Sequence, residues 1–473
     1  MGRKAVGFLD KSRTVAPPGY TRWLIPPAAL CVHLCIGQAY AFSVFNIPLS
    51  KLIGITAQAP GGAWNLSRLI AVPSAPGDWS LAQLGWIFSA AIFFLGVSAA
   101  VCGRWVEEGG PRRAMFTAAL CWAGGFLLSA LGVYVHSIWL IYIGYGFIGG
   151  IALGIGYISP VSTLIKWFPD RPGMATGMAI MGFGGGAFIA SPLSVWLMGK
   201  FTTQTHVGVA EAFIIMGLIY FVFMMVGAWL VKIPAPGWQP EGFVAPRASP
   251  LITKNHVFVY QALKTPQFWL IWWVLCLNVT AGIGVLGQAS AMSQEMFPGH
   301  ITAIAAAGLV GLMSLFNMGG RFAWATVSDF IGRKNTYFIF FVLGTVLYAM
   351  VPTSGNIGSV PLFVFCFLII ISMYGGGFST VPAYLKDMFG TRYVGAIHGL
   401  LLTAWSMAGI FGPVLVNYIR AYNIAHGIPK ADAYNNTMYL MAVLLVIGFF
   451  CNLAIKAVNS RHHMTADEAE QMI

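Results

Sequence analysis

Twelve apolar runs, each close to the length of a bilayer-crossing helix, limit what this chain can fold into. They cover residues 23–52, 81–102, 114–134, 138–165, 173–199, 211–232, 266–293, 302–327, 336–353, 360–385, 396–419 and 435–457. Only helices and closed barrels satisfy their backbone hydrogen bonds inside lipid, and runs of this length indicate helices. The sequence therefore predicts an all-α integral membrane protein with twelve transmembrane helices.

The charged residues support this class and argue against a nucleic-acid partner. Only 8% of the residues are charged and 58% are hydrophobic, whereas a soluble protein carries about 25% charged residues. The net charge is +12, but the basic residues lie between the apolar runs and do not form a patch. We interpret them as determinants of membrane topology, with the lipid bilayer as the partner.

The distribution of lysine and arginine predicts the orientation. Twenty of the 26 lie in segments that are cytoplasmic if both termini are, five lie in the opposite segments, and Arg321 lies inside a run. This bias predicts a multi-pass protein of the cell membrane, by expectation a bacterial inner membrane, with both termini cytoplasmic. The expected divisions are a cytoplasmic N-terminal segment (1–22), a six-helix half (23–232), a cytoplasmic central loop (233–265), a second six-helix half (266–457) and a cytoplasmic tail (458–473).

The two halves repeat one another. GRWVEEGGPRR (103–113) follows the second run and ATVSDFIGRK (325–334) follows the eighth, and in each an acid precedes a glycine by three residues and then two bases. Duplicated halves with matched loops are typical of transporters that rock one half against the other. We predict that the charged residues of these loops latch the halves in one state: Glu107, Arg112, Arg113, Asp329, Arg333 and Lys334.

These loops resemble the signature of the major facilitator superfamily, Gly-x-x-x-Asp/Glu-x-x-Gly-x-Arg/Lys-Arg/Lys, and the resemblance covers the whole chain. AYAFSVFNIPL (40–50), WFPDRPGMATGMAIMGFGGGAF (167–188) and GGGFSTVPAYLKDMFGTRYVGAIHG (375–399) resemble the oxalate/formate antiporter family, a relative of the monocarboxylate transporters. The resemblance implies the major facilitator fold, with two pseudo-symmetric six-helix halves, and transport by alternating access. One departure, Pro111 between Gly110 and Arg112, implies a weaker latch in the first half.

Arg321 stands inside the eighth run, where a charge needs a reason. It precedes Asp329 by eight residues, which is about 12 Å along a helix, and no acid of the apolar runs lies near mid-membrane. A charge at this depth normally faces a cavity and a partner, and a guanidinium binds a carboxylate through two parallel hydrogen bonds. We therefore predict that Arg321 binds a small carboxylate anion. The alternative is a side chain that extends to the membrane surface.

Four further residues are candidates for the transport pathway. Asn317 lies one helical turn before Arg321 and shares its face. The resemblance implies that Tyr157 and Tyr374 face the substrate carboxylate, although each could equally anchor or pack the core. His33 lies near the middle of the first run and is either a histidine packed between helices or a proton carrier. No metal site is predicted, because none of the seven cysteines forms a CxxC pair.

Together these features predict a secondary transporter of a small carboxylate, with a monomeric functional unit and no cofactor. The oxalate-exchanging branch of the resembled family pairs the arginine of helix eight with a lysine of helix eleven, and here Trp405 occupies the nearest register. One buried base suits one carboxylate, so we expect a monocarboxylate such as lactate, pyruvate or formate, with oxalate/formate exchange as the alternative. Coupling to a proton or to a counter-anion stays open. An enzyme is not expected, because HExxH, GxSxG and GxxxxGK(S/T) are absent, and a transporter-like sensor is a remote alternative.

Overall fold

The computed structural model describes residues 7–57, 74–203, 206–243, 251–253, 255–301 and 303–465. Twelve long helices hold most of these residues: α1 (Arg22–Leu49), α2 (Leu81–Gly109), α3 (Pro111–Tyr134), α4 (Ile138–Trp167), α5 (Pro172–Phe201), α6 (Val209–Leu230), α7 (Pro266–Leu286), α8 (Ala303–Ile331), α9 (Arg333–Asn356), α10 (Val360–Phe389), α11 (Val394–Ala425) and α12 (Asn435–Ala454). Eleven of them are long and apolar enough to cross a membrane. The other, α8, has 29 residues and extends about 43 Å. The prediction of an all-helical membrane fold is confirmed.

Each predicted run contains one of these helices, and the differences lie at the ends. α2 continues to Gly109 and α8 to Ile331, beyond the predicted ends at residues 102 and 327. The run 266–293 holds two helices, α7 and the short helix Ala289–Met296, which are separated at Gly287. Apolarity locates the part of a helix inside the lipid, but intrahelical hydrogen bonds can continue into polar residues beyond it.

The inner end of the bundle is here the end that the positive-inside bias predicts to face the cytoplasm, and the outer end is the opposite one. Segments from three parts of the chain pack on the inner end. Val15 forms a β-bridge with Ile233, and Val257 forms one with His463. The predicted central loop therefore contacts both the predicted N-terminal segment and the predicted tail at this end. Their membrane side and the division of the chain at 233–265 remain predictions.

The repeated loops form the same turn in both halves. Gly110, between α2 and α3, has φ 84° and ψ 163°, and Gly332, between α8 and α9, has φ 86° and ψ 150°. This backbone region is accessible essentially only to glycine, which is the physical reason for a glycine at the same place in each loop. Pro111 is the first residue of α3, a position where a helix needs no backbone N–H. The turn thus accommodates the departure from the family pattern.

The two halves meet along two helix pairs that the repeat relates to each other. α5 packs on α8, and α2 packs on α11. Two helices near this interface are irregular: α1 contains the 3-10 stretch Gly37–Phe45, and α11 is interrupted at Leu402. A Cβ on Gly37 would stand 2.4 Å from the carbonyl oxygen of Phe183, so the close approach of α1 and α5 requires glycine there.

Candidate functional site

Arg321 lies on α8 near the middle of the bundle, and its side chain has no exposed surface. Its Nε donates to Asn317 Oδ1 at 2.9 Å, as the i and i+4 spacing predicts. Nη2 lies 3.5 Å from the hydroxyl oxygen of Tyr40, and Nη1 has no hydrogen-bond partner among the described residues. Within that part of the chain no carboxylate lies at ion-pair distance from the guanidinium. The guanidinium therefore keeps an unpaired donor and an uncompensated charge.

Tyrosines from three helices surround this arginine. The hydroxyl oxygens of Tyr40 on α1 and Tyr374 on α10 are 3.3 Å apart, and Tyr40 is the one that reaches Arg321. Tyr157, on α4, is fully buried, and its hydroxyl has no hydrogen-bond partner among the described residues. The sequence interpretation did not include Tyr40 among the substrate-binding residues. Its place in AYAFSVFNIPL, one of the stretches that carry the resemblance, was the available signal.

Six aromatic side chains, the central aromatic cluster, surround the guanidinium: Tyr40, Tyr157, Phe183, Tyr374, Phe378 and Trp405. The guanidinium carbon of Arg321 lies 5.7 Å from the ring centroid of Phe183 and 5.2 Å from that of Phe378. Trp405, on α11, packs on Phe378 with ring centroids 4.4 Å apart. Phe183 and Phe378 are site residues that the sequence interpretation missed. Phe378 follows Tyr374 by four residues, a spacing that places both on one face of α10.

Within the part of the chain that the structure describes, this arrangement is a buried cation without an anion. Aromatic faces stabilise a guanidinium, but a buried charge without a partner remains costly. A carboxylate between Nη1 and Nη2 of Arg321 would neutralise the charge and accept two parallel hydrogen bonds, and the nearby tyrosine hydroxyls can donate to it as well. The site is therefore suited to a small anion. Among the described residues, no three His, Cys, Asp or Glu side chains come together as they would around a metal ion.

At the inner end, Asp329 of α8 contacts the other half. Its two carboxylate oxygens accept from the backbone N–H groups of Gly173 and Met174, both at 2.8 Å, at the start of α5. Arg333 donates to the same carboxylate at 2.5 Å. Free N–H groups and the helix dipole make a helix N-terminus a favourable place for an anion. Asp329 thus joins the second half to the first through the N-terminus of α5.

Glu107 of α2 makes the corresponding contact in the opposite direction. Its Oε1 accepts from the backbone N–H of Gly395 at 3.1 Å, at the start of α11, and its Oε2 pairs with Lys166 at 2.5 Å. Lys11 donates to the backbone carbonyl of Glu107 at 2.9 Å. Burial, reinforced by repulsion from Lys166, lowers the pKa of Lys11. Each half therefore places one acid on the N-terminus of a helix from the other half.

The bases of the repeated loops are placed differently from the expectation. Arg112 donates to two backbone carbonyls in the last turn of α6, and Lys334 donates to two carbonyls at the end of α12. Arg113 lies over the ring of Trp105. Only Arg333 joins an acid of its own loop, and it also reaches Asp387 at 3.2 Å. In the described contacts these bases hold helices of their own half, and the two acids make the contacts between the halves. The role of the whole set as a latch remains a prediction.

His33, the candidate proton carrier, is fully buried on α1. Its ring packs edge-on against Tyr157, with centroids 5.4 Å apart. Neither ring nitrogen has a hydrogen-bond partner among the described residues, although the backbone of Tyr157 lies nearby. A second buried histidine, His398 on α11, packs against the same tyrosine at 5.8 Å. The sequence interpretation missed His398, because its position at the start of the eleventh run carried no sign of a buried partner.

Comparison with known proteins agrees with this architecture. Residues 28–413 match the family model of the Major Facilitator Superfamily. The oxalate:formate antiporter of Oxalobacter formigenes is 28% identical over 393 residues, 83% of each chain. The apicoplast pyruvate carrier 1 of Toxoplasma gondii is 23% identical over 507 aligned residues, 91% of this chain and 88% of the carrier. The crystal structure of FucP in the outward conformation has the same fold, with a TM-score of 0.62 at 15% identity, covering 91% of this chain and 99% of FucP. Because the family model matches most of the chain, this protein belongs to the Major Facilitator Superfamily and is a secondary transporter, not an enzyme.

Proposed function

We propose that this protein transports a small monocarboxylate such as lactate, pyruvate or formate by alternating access, with Arg321 binding the carboxylate. The observation that carries the proposal is the fully buried guanidinium whose Nη1 has no partner and whose charge meets no acid among the described residues. Asn317 holds Nε and so orients the fork, while Tyr40 and Tyr374 stand beside it. Bound carboxylate removes the cost of the buried charge.

The contacts at the inner end support alternating access. Asp329 and Glu107 each join one half to a helix start in the other half. Release of a substrate toward the inner end requires these contacts to break, and they can form again after release. A bound anion that neutralises Arg321 lowers the cost of burying the site, which favours the closed state in which both ends are shut. The acids therefore govern which end opens, and the arginine governs whether the loaded site can close.

The walls of the site support a monocarboxylate over oxalate. Trp405 packs against Tyr157, Phe183 and Phe378. In the resembled oxalate exchangers a lysine is expected at this register, where it would hold the second carboxylate. An indole offers an apolar surface instead, which suits a methyl or another small apolar group. Oxalate/formate exchange is the second candidate, favoured by the similarity to the Oxalobacter formigenes antiporter.

Uptake of labelled carboxylates into proteoliposomes tests the proposal. Lactate, pyruvate, formate and oxalate are compared with and without a pH gradient, and a counterflow arm separates a transporter from a sensor that only binds. A charge-assisted hydrogen bond contributes about 1.5–3 kcal/mol, so Arg321→Gln should weaken affinity about tenfold or more and abolish uptake. Arg321→Lys should bind more weakly than wild type, because a lysine lacks the planar fork.

Arg104→Gln is the matched control, since Arg104 is an exposed arginine paired with Glu108 on the same helix turn. It should transport like wild type. If Arg321→Gln also binds and transports carboxylates like wild type, Arg321 does not bind the substrate and the proposal is wrong.

A further inference from the structure

Two buried histidines that meet at the interface of the two halves have no role in the proposed function. His33 on α1 and His398 on α11 come from opposite halves, and both pack against the ring of Tyr157. Their exposed fractions are 0% and 1%. None of their four ring nitrogens makes a well-formed hydrogen bond among the described residues, although the backbone of Tyr157 lies close to His33. The Tyr157 hydroxyl makes none either, although Arg321 lies close to it. Three polar groups without well-formed hydrogen bonds thus meet at the interface that must open.

Among the described residues the surroundings provide no counter-charge for a protonated histidine. Arg321 is the charged group that acts electrostatically on His33, and its effect opposes a second positive charge. Within the described residues neither histidine forms an ion pair with an acid. Glu107 of α2 contacts Gly395, three residues before His398 on α11, and this acid is already paired with Lys166.

The other groups on the helices packed against this pair are also paired or neutral. On α10, Asp387 pairs with Arg333 and Lys386, and on α3, Arg112 donates to backbone carbonyls of α6. The remaining buried titratable groups on α4, α6 and α10 are four tyrosines and one cysteine, which are neutral near pH 7: Tyr145, Tyr220, Tyr374, Tyr384 and Cys366. The buried residues of α5 include no titratable side chain.

We propose that His33 and His398 form a proton-binding pair that controls the inner gate, neutral while the halves are closed and protonated when the inner end is open. An imidazolium without a counter-charge is unfavourable in this dry interface. Separation of α4 from α11 would expose both rings to water. Because the protons enter from the inner side and return to it before the gate closes, the pair senses pH and does not itself carry protons across the membrane. The inference rests on the alternating access of the proposed function.

The expected change of the open-to-closed ratio with pH follows from proton linkage. A group that binds a proton only in the open state multiplies the open-to-closed ratio as pH falls below its open-state pKa. An imidazole in water has a pKa of about 6.5. Between pH 7.5 and pH 5.5 one histidine therefore raises the ratio about tenfold, and two raise it by at most about a hundredfold. Repulsion between the two protonated rings reduces the second factor.

Cysteine labelling measures opening without any substrate. Ser162, near the inner end of α4, is buried against α11, where a Cβ on Gly395 would touch it. A Ser162→Cys variant, made after replacing the seven native cysteines with alanine, is labelled with a charged maleimide in nanodiscs at pH 5.5 and 7.5. Glu241→Cys, at an exposed position of the central segment, corrects for the pH dependence of the thiol reaction itself.

We expect the corrected labelling rate at Ser162→Cys to be about tenfold or more higher at pH 5.5 than at pH 7.5. His33→Gln and His398→Gln should each remove a large part of this increase, and the double variant should remove it entirely. His426→Gln, which changes an exposed histidine at the outer end of α11, should leave it intact. The inference is overturned if the double variant responds to pH like the parent, or if the parent shows no response.

These outcomes are separate from those of the proposed function. Labelling reports the gate even if no tested carboxylate is transported, and carboxylate uptake can succeed in a protein whose gate ignores pH. If the double variant fails to fold, His33→Asn with intact His398 is measured instead. A response equal to that of the parent would then overturn the pair, because half of the proton-binding site would be missing without effect.

Discussion

Replacing Asp329 with asparagine tests the contact that joins the halves at the inner end. The carboxylate accepts from the N–H groups of Gly173 and Met174, both at 2.8 Å, and from Arg333 at 2.5 Å. Asparagine has nearly the same shape, but it has one acceptor oxygen, no negative charge and an amide that donates. It can satisfy one of the two N–H groups of α5 and leaves the other without a partner while the halves are closed.

The expected loss of stability of the inner-closed state follows from these contacts. A hydrogen bond to a charged group contributes about 1.5–3 kcal/mol, and a buried donor left unsatisfied costs about 1–3 kcal/mol. Loss of the negative charge at the N-terminus of α5 adds about 0.3–1 kcal/mol. These terms overlap because they describe the same atoms. We expect the inner-closed state to lose about 2–3 kcal/mol relative to the inner-open state, which changes the ratio of the two states about 30- to 150-fold.

Labelling of Ser162→Cys at constant pH measures this ratio, and uptake in proteoliposomes measures turnover. Asp329→Asn should raise the labelling rate and slow turnover, while substrate affinity changes less than about tenfold, because the change alters the balance of states more than the site. Asp387→Asn is the matched control, since Asp387 is also an aspartate paired with Arg333, and its other pairing partner, Lys386, lies in the same half. Wild-type labelling and turnover in Asp329→Asn would refute the reasoning, as would an equal effect of the control.

Three further predictions follow from single contacts. Gly173→Ala should also raise the labelling rate, because the added Cβ would stand 2.2 Å from a carbonyl oxygen of α8, whereas Gly199→Ala on the same helix meets nothing within 4 Å and should behave like wild type. Trp405→Lys should let oxalate compete with labelled monocarboxylate uptake, and unchanged selectivity would show that this residue does not set the substrate. Lys430 and Glu241 are both exposed; an impermeant thiol reagent added outside should label a Lys430→Cys variant and leave a Glu241→Cys variant unlabelled. The reverse pattern would overturn the predicted orientation.

Local sequence patterns determined the helices and the turns between them. Inside lipid each backbone must satisfy its hydrogen bonds within its own segment, so apolar length located each long helix of the described residues. The errors were the positions of helix ends and the break at Gly287 in the seventh run. The repeated glycines Gly110 and Gly332 marked matching turns, because their backbone conformations exclude other residues. Arg321 and Asn317 were recognised as neighbours from their spacing on one helix.

Only the tertiary structure decided which residues from different helices meet. Phe183 reaches Arg321 because α5 packs on α8, and Tyr40 reaches it because α1 packs closely on α5. No periodicity within α1 or α5 encodes either contact. Glu107 and Asp329 were expected to latch the two halves together with the bases of the repeated loops. In the structure each acid contacts the start of a helix in the other half, because exposed N–H groups and the helix dipole make a helix N-terminus a favourable place for a carboxylate. Such contacts depend on how helices from two halves pack, and that packing is set by surfaces far apart in the sequence.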